Sequence, residues 1–250
     1  MPRIPIALQL YSVRKDCERD LPGTLKAVAE MGYDGVEFAG YHGRSADELR
    51  KMLDDLGLRA AGSHLALQHL QGDELDRTIE FNKTIGSKFP IIAGVDREYL
   101  ETRDAAASFG RTLGEIAEKL APHGMQTGYH NHRAEFKPIN GETAWDLIAA
   151  NSRPDVVMQL DLGNAMAGGA DIAAVMKKWA ARGFTVHLKE RSSAKDDAIV
   201  GEGDVPWQEI FSICEAAGNT EWYIVEQESY AYPPLECVAR CLTNLREMGK

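Results

Sequence analysis

The feature that most narrows the folds open to this chain is an alternation that runs from end to end. Eight short apolar runs of β type, at 4–10, 34–38, 58–64, 88–93, 125–131, 156–161, 184–188 and 222–226, are separated by amphipathic segments. Those segments lie near 20–31, 45–56, 72–85, 103–121, 142–151, 171–181, 206–217 and 234–248 and carry helical periodicity. Gly32, Gly57, Gly86, Gly124, Gly183 and Gly218 each follow a helical pattern, where a left-handed stop costs least for a residue without Cβ. Ser45 and Glu48 have capping-box spacing, and Pro206 suits a first helical turn. Eight strands alternating with eight helices predict an α/β protein, a single (β/α)8 TIM barrel occupying 1–250 as one domain. A doubly wound nucleotide-binding sheet is the competitor. It would need a glycine-rich turn after the first strand, where this chain has YSVRKDCERD (11–20). No linker, low-complexity tract or internal repeat divides the sequence.

The bulk charge then excludes several classes of function. A formal charge of −10 argues against a surface that tracks phosphates, so nucleic acid is not expected as a partner. No uncharged stretch approaches the roughly 18 residues that span a bilayer, and the first residues lack a signal-peptide pattern. The four cysteines include no CxxC; Cys237 and Cys241 fall one helical turn apart, while Cys17 and Cys214 have no obvious mates. Free thiols in a reducing, cytoplasmic setting are the expectation.

Chemistry gathers in the second half. The runs TGYHNHRAEF (127–136), VVMQLDLGN (156–164), FTVHLKE (184–190) and WYIVEQE (222–228) lead to Glu135, Asp161, His187 and Glu226, each at or just beyond the end of a strand. In a barrel those ends share one rim, where active sites sit. Burying such groups singly is costly, so four of them suggest one shared divalent cation. Each also has a plainer role: Asp161 could cap a turn, His187 could be a satisfied core histidine, Glu226 could pair with a lysine, and Glu135 could lie in a solvated loop. Three carboxylates with one imidazole form a mostly hard ligand set, suited to Mn²⁺, Co²⁺ or Mg²⁺, with Zn²⁺ as a further candidate.

On LQLYSVR (8–14), GYDGVEFAG (32–40), GYHNHRAEF, LDLGNAMAGG, VHLKE, VGEGDVPW (200–207) and IVEQE, the chain resembles the xylose-isomerase-like barrel superfamily. The resemblance covers nearly the whole length and points to its sugar phosphate isomerase/epimerase branch. Relatives of that branch include inosose dehydratase, ketose 3-epimerases and, more distantly, endonuclease IV. The resemblance implies a metal held by Glu, Asp, His and Glu, mapping to Glu135, Asp161, His187 and Glu226. Glu135 and Glu226 then become the catalytic acid/base pair flanking the substrate carbon. The fifth strand departs from the epimerase pattern, carrying Tyr129-His130 where those enzymes have an in-strand glutamate. His130 and His132 share one face by strand periodicity, so either could be the ligand or a substrate contact. His64, Glu37, Asn164, Lys189, Gln9 and Tyr11 are further rim candidates for substrate binding. Asn164 stands where epimerases place a substrate-contacting histidine, and the GEG at 201–203 resembles a loop that covers the pocket.

The expected activity is metal-dependent isomerisation or epimerisation of a sugar, by proton transfer next to a carbonyl through an enediolate. The alternative is an inosose-dehydratase-like or keto-glycoside lyase on the same site. Remote alternatives are an endonuclease IV-like repair enzyme and a non-catalytic sugar-binding barrel. A small sugar or cyclitol is the expected partner, unphosphorylated because few basic residues beyond Lys189 and Arg191 lie in the candidate segments. A homodimer or homotetramer is expected from relatives; Trp179, Trp207, Trp222 and Tyr230–Tyr232 could serve packing or association.

Overall fold

The computed structural model describes residues 3–250. Eight parallel strands close into one barrel in chain order. They are β1 Ile6–Gln9, β2 Gly35–Ala39, β3 Arg59–Leu65, β4 Pro90–Ile92, β5 Gly128–His130, β6 Val157–Asp161, β7 Thr185–Leu188 and β8 Trp222–Val225. Closure comes from β1, which pairs with both β8 and β2. The helices are α1 Arg14–Met31, α2 Ala46–Leu56, α3 Glu74–Ile85, α4 Arg103–Leu120, α5 Ala144–Asn151, a short α6 Leu162–Ala167, α7 Ile172–Trp179, α8 Trp207–Ala217 and α9 Pro234–Glu247. A two-stranded hairpin, Pro138–Ile139 with Glu142–Thr143, is inserted after β5.

Local signals account for most boundaries. Ser45 caps α2 through a complete capping box with Glu48. Gly32, Gly57, Gly86, Gly124 and Gly218 adopt the left-handed conformation that ends a helical segment. Gly183 does not; its φ is −87°. There α7 gives way to the turn Ala180–Arg182, and the buried Arg182 guanidinium donates to the carbonyls of Val156 and Ala149. Side-chain anchoring does the work that backbone freedom does elsewhere. Pro206 is the residue before α8 rather than in its first turn. The first helix begins earlier than the 20–31 pattern indicates because it is two helices in line, broken at Asp20, which has φ −157° and ψ 86°. Asp20 Oδ1 accepts from Gly23 N at 3.0 Å and so caps the second helix, which carries Pro22 in its first turn.

Inside the barrel, strand alternation stacks side chains in layers. Ala7, Ala61, Phe89, Ile91, Val157, Trp222 and Ile224 form an apolar plug distinct from the larger core beneath the helices. Two residues further along the same strands come Gln9, Gln159 and Glu226, which face the C-terminal rim. The plug therefore floors a polar chamber. A register shift between Val36 and Glu37 sets Glu37 opposite Gly62. A Cβ on Gly62 would lie 2.7 Å from Glu37 Oε1, so the inward carboxylate requires glycine across from it.

Candidate active site

The deepest polar layer is a closed hydrogen-bond network around Glu37, wholly buried on β2. Its Oε1 accepts from Gln159 Nε2 at 2.8 Å; its Oε2 accepts from Gln9 Nε2 at 2.6 Å and contacts His187 Nε2 at 2.6 Å. Gln159 also donates to Thr185 Oγ1 at 2.9 Å, and its Oε1 faces His64 Nε2 at 2.7 Å and His130 Nδ1 at 3.2 Å. The rings of His64 and His187 stack with centroids 5.1 Å apart. Among the described residues, the donors of His64, His130 and His187 lie close enough to hold an ion. These three rings, however, already have partners in Glu37 and Gln159.

The layer above is different. Single donor atoms of His130, Asp161, His187 and Glu226 all lie within 4.8 Å of one another. Asp161 ends β6, and its Oδ1 accepts from Asn164 N at 2.6 Å, so the turn-capping role is real. Its Oδ2 is buried and has no hydrogen-bond partner. That atom lies 4.0 Å from His130 Nε2 and 3.9 Å from Lys189 Nζ. An orphaned buried carboxylate oxygen beside two imidazoles and a second carboxylate fits a divalent cation, and borderline to hard ions suit this N/O set. His130, Asp161, His187 and Glu226 are the residues that could hold it.

Burial and neighbouring charge set the protonation states. His187 lies between two carboxylates, Glu37 and, through Nδ1 at 2.7 Å, Glu226. Burial alone would lower its pKa, but the two acids carry it up to about 10. Burial opposes ionisation of Glu226, yet His187 and Lys189 hold it well below the usual carboxylate range. Glu37 is likewise held down by His64 and His187 against the effect of burial. Asp161 moves the other way, to about 7, because burial and Glu226 outweigh Lys189. Burial, with His187 and His64 adding to it, keeps the His130 pKa well below its ordinary value. Lys189 reaches Glu226 Oε1 at 3.3 Å and pairs with Glu228. One wall is thus an alternating array of charges.

Not every residue singled out from the sequence joins this cluster. Glu135 is buried but stands apart: its carboxylate accepts from Tyr129 OH at 2.6 Å and from the backbone N–H of His132 at 2.9 Å. It sits on the turn Ala134–Phe136 and braces the HNH segment, while His130 on β5 stands in the ligand group. Asn164 Nδ2 is buried without a partner. Gln9 turns inward to Glu37, and Tyr11 lines the cavity mouth. The GEG loop does not cover the pocket. Glu190 accepts from Gly201 N, Val205 N and Trp207 Nε1, and Asn244 on α9 donates to Val200 O, tying that loop to the outside of the barrel. Trp207 and Trp222 are buried within the chain.

Three contributors escaped the sequence reading. Gln159 and Thr185 precede Asp161 and His187 by two residues, so period-two counting back from the rim finds both. Asn131, between the two histidines of HNH, exchanges hydrogen bonds with the backbone of Asp161 at 2.8 and 3.2 Å and locks β5 to β6.

The cluster opens into a cavity of about 380 Å³ at the C-terminal rim, lined by Tyr11, His64, His130, His132, Glu226 and Glu228 among others. A larger cavity, about 580 Å³, lies at the opposite end around Arg3, Cys214 and Tyr223. It has no convergent ligand set among the described residues. No described helix is long and apolar enough to cross a membrane.

Fold and site together define a (β/α)8 barrel with a polar, metal-compatible centre at its C-terminal rim. The chain belongs to the xylose isomerase-like TIM barrel family, whose pattern it matches over residues 25–247. It is 21% identical to an inosose dehydratase of Clostridium perfringens over 265 residues, covering 89% of this chain and 88% of that one. Among solved structures, a sugar phosphate isomerase/epimerase from Parabacteroides distasonis superposes with a TM-score of 0.83 at 24% identity, covering 97% of each chain. The IolI protein, solved with a bound zinc atom, superposes with a TM-score of 0.74 at 15% identity and 97% coverage of each chain. The relatives are enzymes of isomerase, epimerase and dehydratase type.

Proposed function

We propose that this chain is a divalent-metal-dependent enzyme that moves a proton next to the carbonyl of a sugar or cyclitol, isomerising or epimerising it. The observation that carries this reading is the orphaned, buried Asp161 Oδ2 beside His130, with His187 and Glu226 completing the set. The zinc in the IolI protein supports a metal in this fold. His130, Asp161, His187 and Glu226 would hold the ion. When bound, it would supply Lewis-acid polarisation of the substrate carbonyl.

The protein's own groups then divide the labour. With an ion bound, Glu37 would accept from His187 Nε2–H and so leave the deprotonated Nδ1 to the ligand space, the usual work of a carboxylate behind a metal-ligating histidine. Glu226 lines the cavity as an ionised carboxylate and can take the proton from the carbon beside the carbonyl, giving an enediolate. His132, three strands away around the rim, has a ring with no hydrogen-bond partner among the described residues. It is placed to return a proton to the opposite face or to the neighbouring carbon. Lys189 balances the carboxylates and limits their mutual repulsion.

A second outcome shares the first step. If the substrate carries a hydroxyl on the carbon beyond the carbanion, protonation of that hydroxyl by His132 expels water, and the enzyme is a dehydratase. The inosose dehydratase relative favours keeping this reading. Incubation of the Mn²⁺-loaded protein in heavy water with ketoses and a cyclitol ketone tests both. Deuterium incorporation next to the carbonyl is expected, with an altered stereocentre or loss of water naming the branch. No exchange with any member of the panel overturns the proposal.

A further inference from the structure

The central cavity continues beyond the reacting centre. A cleft of about 500 Å³ between the segments that follow β3 and β4 shares Ala66, Gly94 and His132 with it. Another, of about 390 Å³ over β2 and β3, shares His64, Leu65 and Ala66. The two branches differ in chemistry. In the β2–β3 branch the charged and hydroxyl groups are largely engaged: Arg77 pairs with Glu74 at 2.5 Å, Thr78 Oγ1 donates to His69 O at 2.7 Å, and Tyr41 stacks on Phe81, leaving the buried His69 Nδ1 without a partner. In the β3–β4 branch the side chains of Gln68, Gln71, Asp96 and Tyr99 have no hydrogen-bond partner among the described residues.

Two amides, a carboxylate and a phenol offer both donors and acceptors, with Leu67 and Val95 as apolar surface between them. That mixture suits the hydroxyls and C–H face of a sugar ring. No lysine or arginine lines this cleft, and an anionic substituent would face Asp96. Such a lining disfavours a phosphate or carboxylate.

We propose that the β3–β4 cleft is a second sugar subsite and that the substrate is a neutral glycoside of two rings. The ring bearing the carbonyl lies in the central cavity, and its unmodified partner crosses Ala66 and Gly94 into the outer cleft. The identity of the reacting ring rests on the proton-transfer reading above; the subsite itself rests on the cleft. Gly94 keeps the passage open. A Cβ there would sit 3.4 Å from His132 Cε1, an ordinary contact, and Gly94 is not among the residues of positive φ. Gly94→Val therefore meets no backbone strain and places side-chain bulk where the two spaces join.

The test is calorimetric titration of the Mn²⁺-loaded full chain with methyl glycosides of glucose, galactose and mannose, and with a panel of α- and β-linked disaccharides of the same sugars. At least one disaccharide is expected to bind about ten-fold more tightly than its methyl glycoside. Gly94→Val is expected to remove that gain. The double variant Gln68→Ala/Asp96→Ala, confined to exposed side chains, is expected to remove most of it as well. Its two residues line the outer cleft and not the central cavity, so it is expected to hold the monosaccharide affinity within about two-fold. No disaccharide gain in the wild type, or a gain unchanged in both variants, overturns the subsite. Deuterium exchange on simple ketoses reads the chemistry separately: exchange without a disaccharide gain sinks the subsite alone, and a gain without exchange sinks the reaction alone.

Discussion

Glu226 and Glu37 lie within one imidazole of each other, yet they do different things. Glu226 faces the cavity and is the group expected to handle the substrate proton. Glu226→Gln is expected to lower kcat by about 10²- to 10⁴-fold, as loss of a general base does, with the circular dichroism spectrum unchanged. Glu37 never meets the cavity. Glu37→Gln is expected to weaken Mn²⁺ binding by about 10- to 100-fold, because the carboxylate that orients His187 is lost; titration of the metal-stripped protein reads this directly. His187 also ties stability to pH. Its pKa in the metal-free fold, about 10, lies above the ordinary 6.5. Its stabilising contribution is therefore complete below pH 6.5 and is lost as pH climbs towards 10. The melting temperature of metal-free protein is expected to fall across that window, and His187→Gln should flatten the fall. An equal slope in the variant contradicts the charge state assigned to His187.

At the scale of elements, the site depends on how two strands register. The bulge between β2 and β3 sets glycine opposite Glu37. Gly62→Ala is expected to cost about 1–3 kcal/mol by overpacking, measured by urea denaturation, and to weaken metal binding as Glu37 is displaced. This is also where the reach of the sequence ends. The strands and helices were legible because alternation, caps and glycine stops are local signals, and Asp161, His187 and Glu226 stood out as ionisable groups after apolar runs. Gln159 was passed over inside VVMQLD because a neutral amide carries no charge to draw attention; only its place two residues before Asp161 marks it as inward-facing. Glu135 attracted attention as a carboxylate near the rim, but its place was decided by a Tyr129 hydroxyl from within the preceding strand, a contact that strand periodicity does not reveal. Gly183 misled for a similar reason: a distant anchor, Arg182 on the carbonyls of Val156, just before β6, and Ala149 in α5, replaced the glycine stop.

For the molecule as a whole, the apolar plug, the Glu37 network and the rim cluster form three tiers, each positioning the next. A ligand that binds only the folded state stabilises it in proportion to its saturation, so Mn²⁺ at 100 times its Kd is expected to add about 2.7 kcal/mol. The most direct test of the tiered arrangement is titration of Mn²⁺ into metal-stripped protein, comparing wild type, Asp161→Asn and Glu135→Gln. One saturable site is expected in the wild type, retained in Glu135→Gln and lost or weakened at least about 100-fold in Asp161→Asn. Undiminished binding in Asp161→Asn, or no saturable site in the wild type, would contradict a metal centre built on the orphaned oxygen of Asp161.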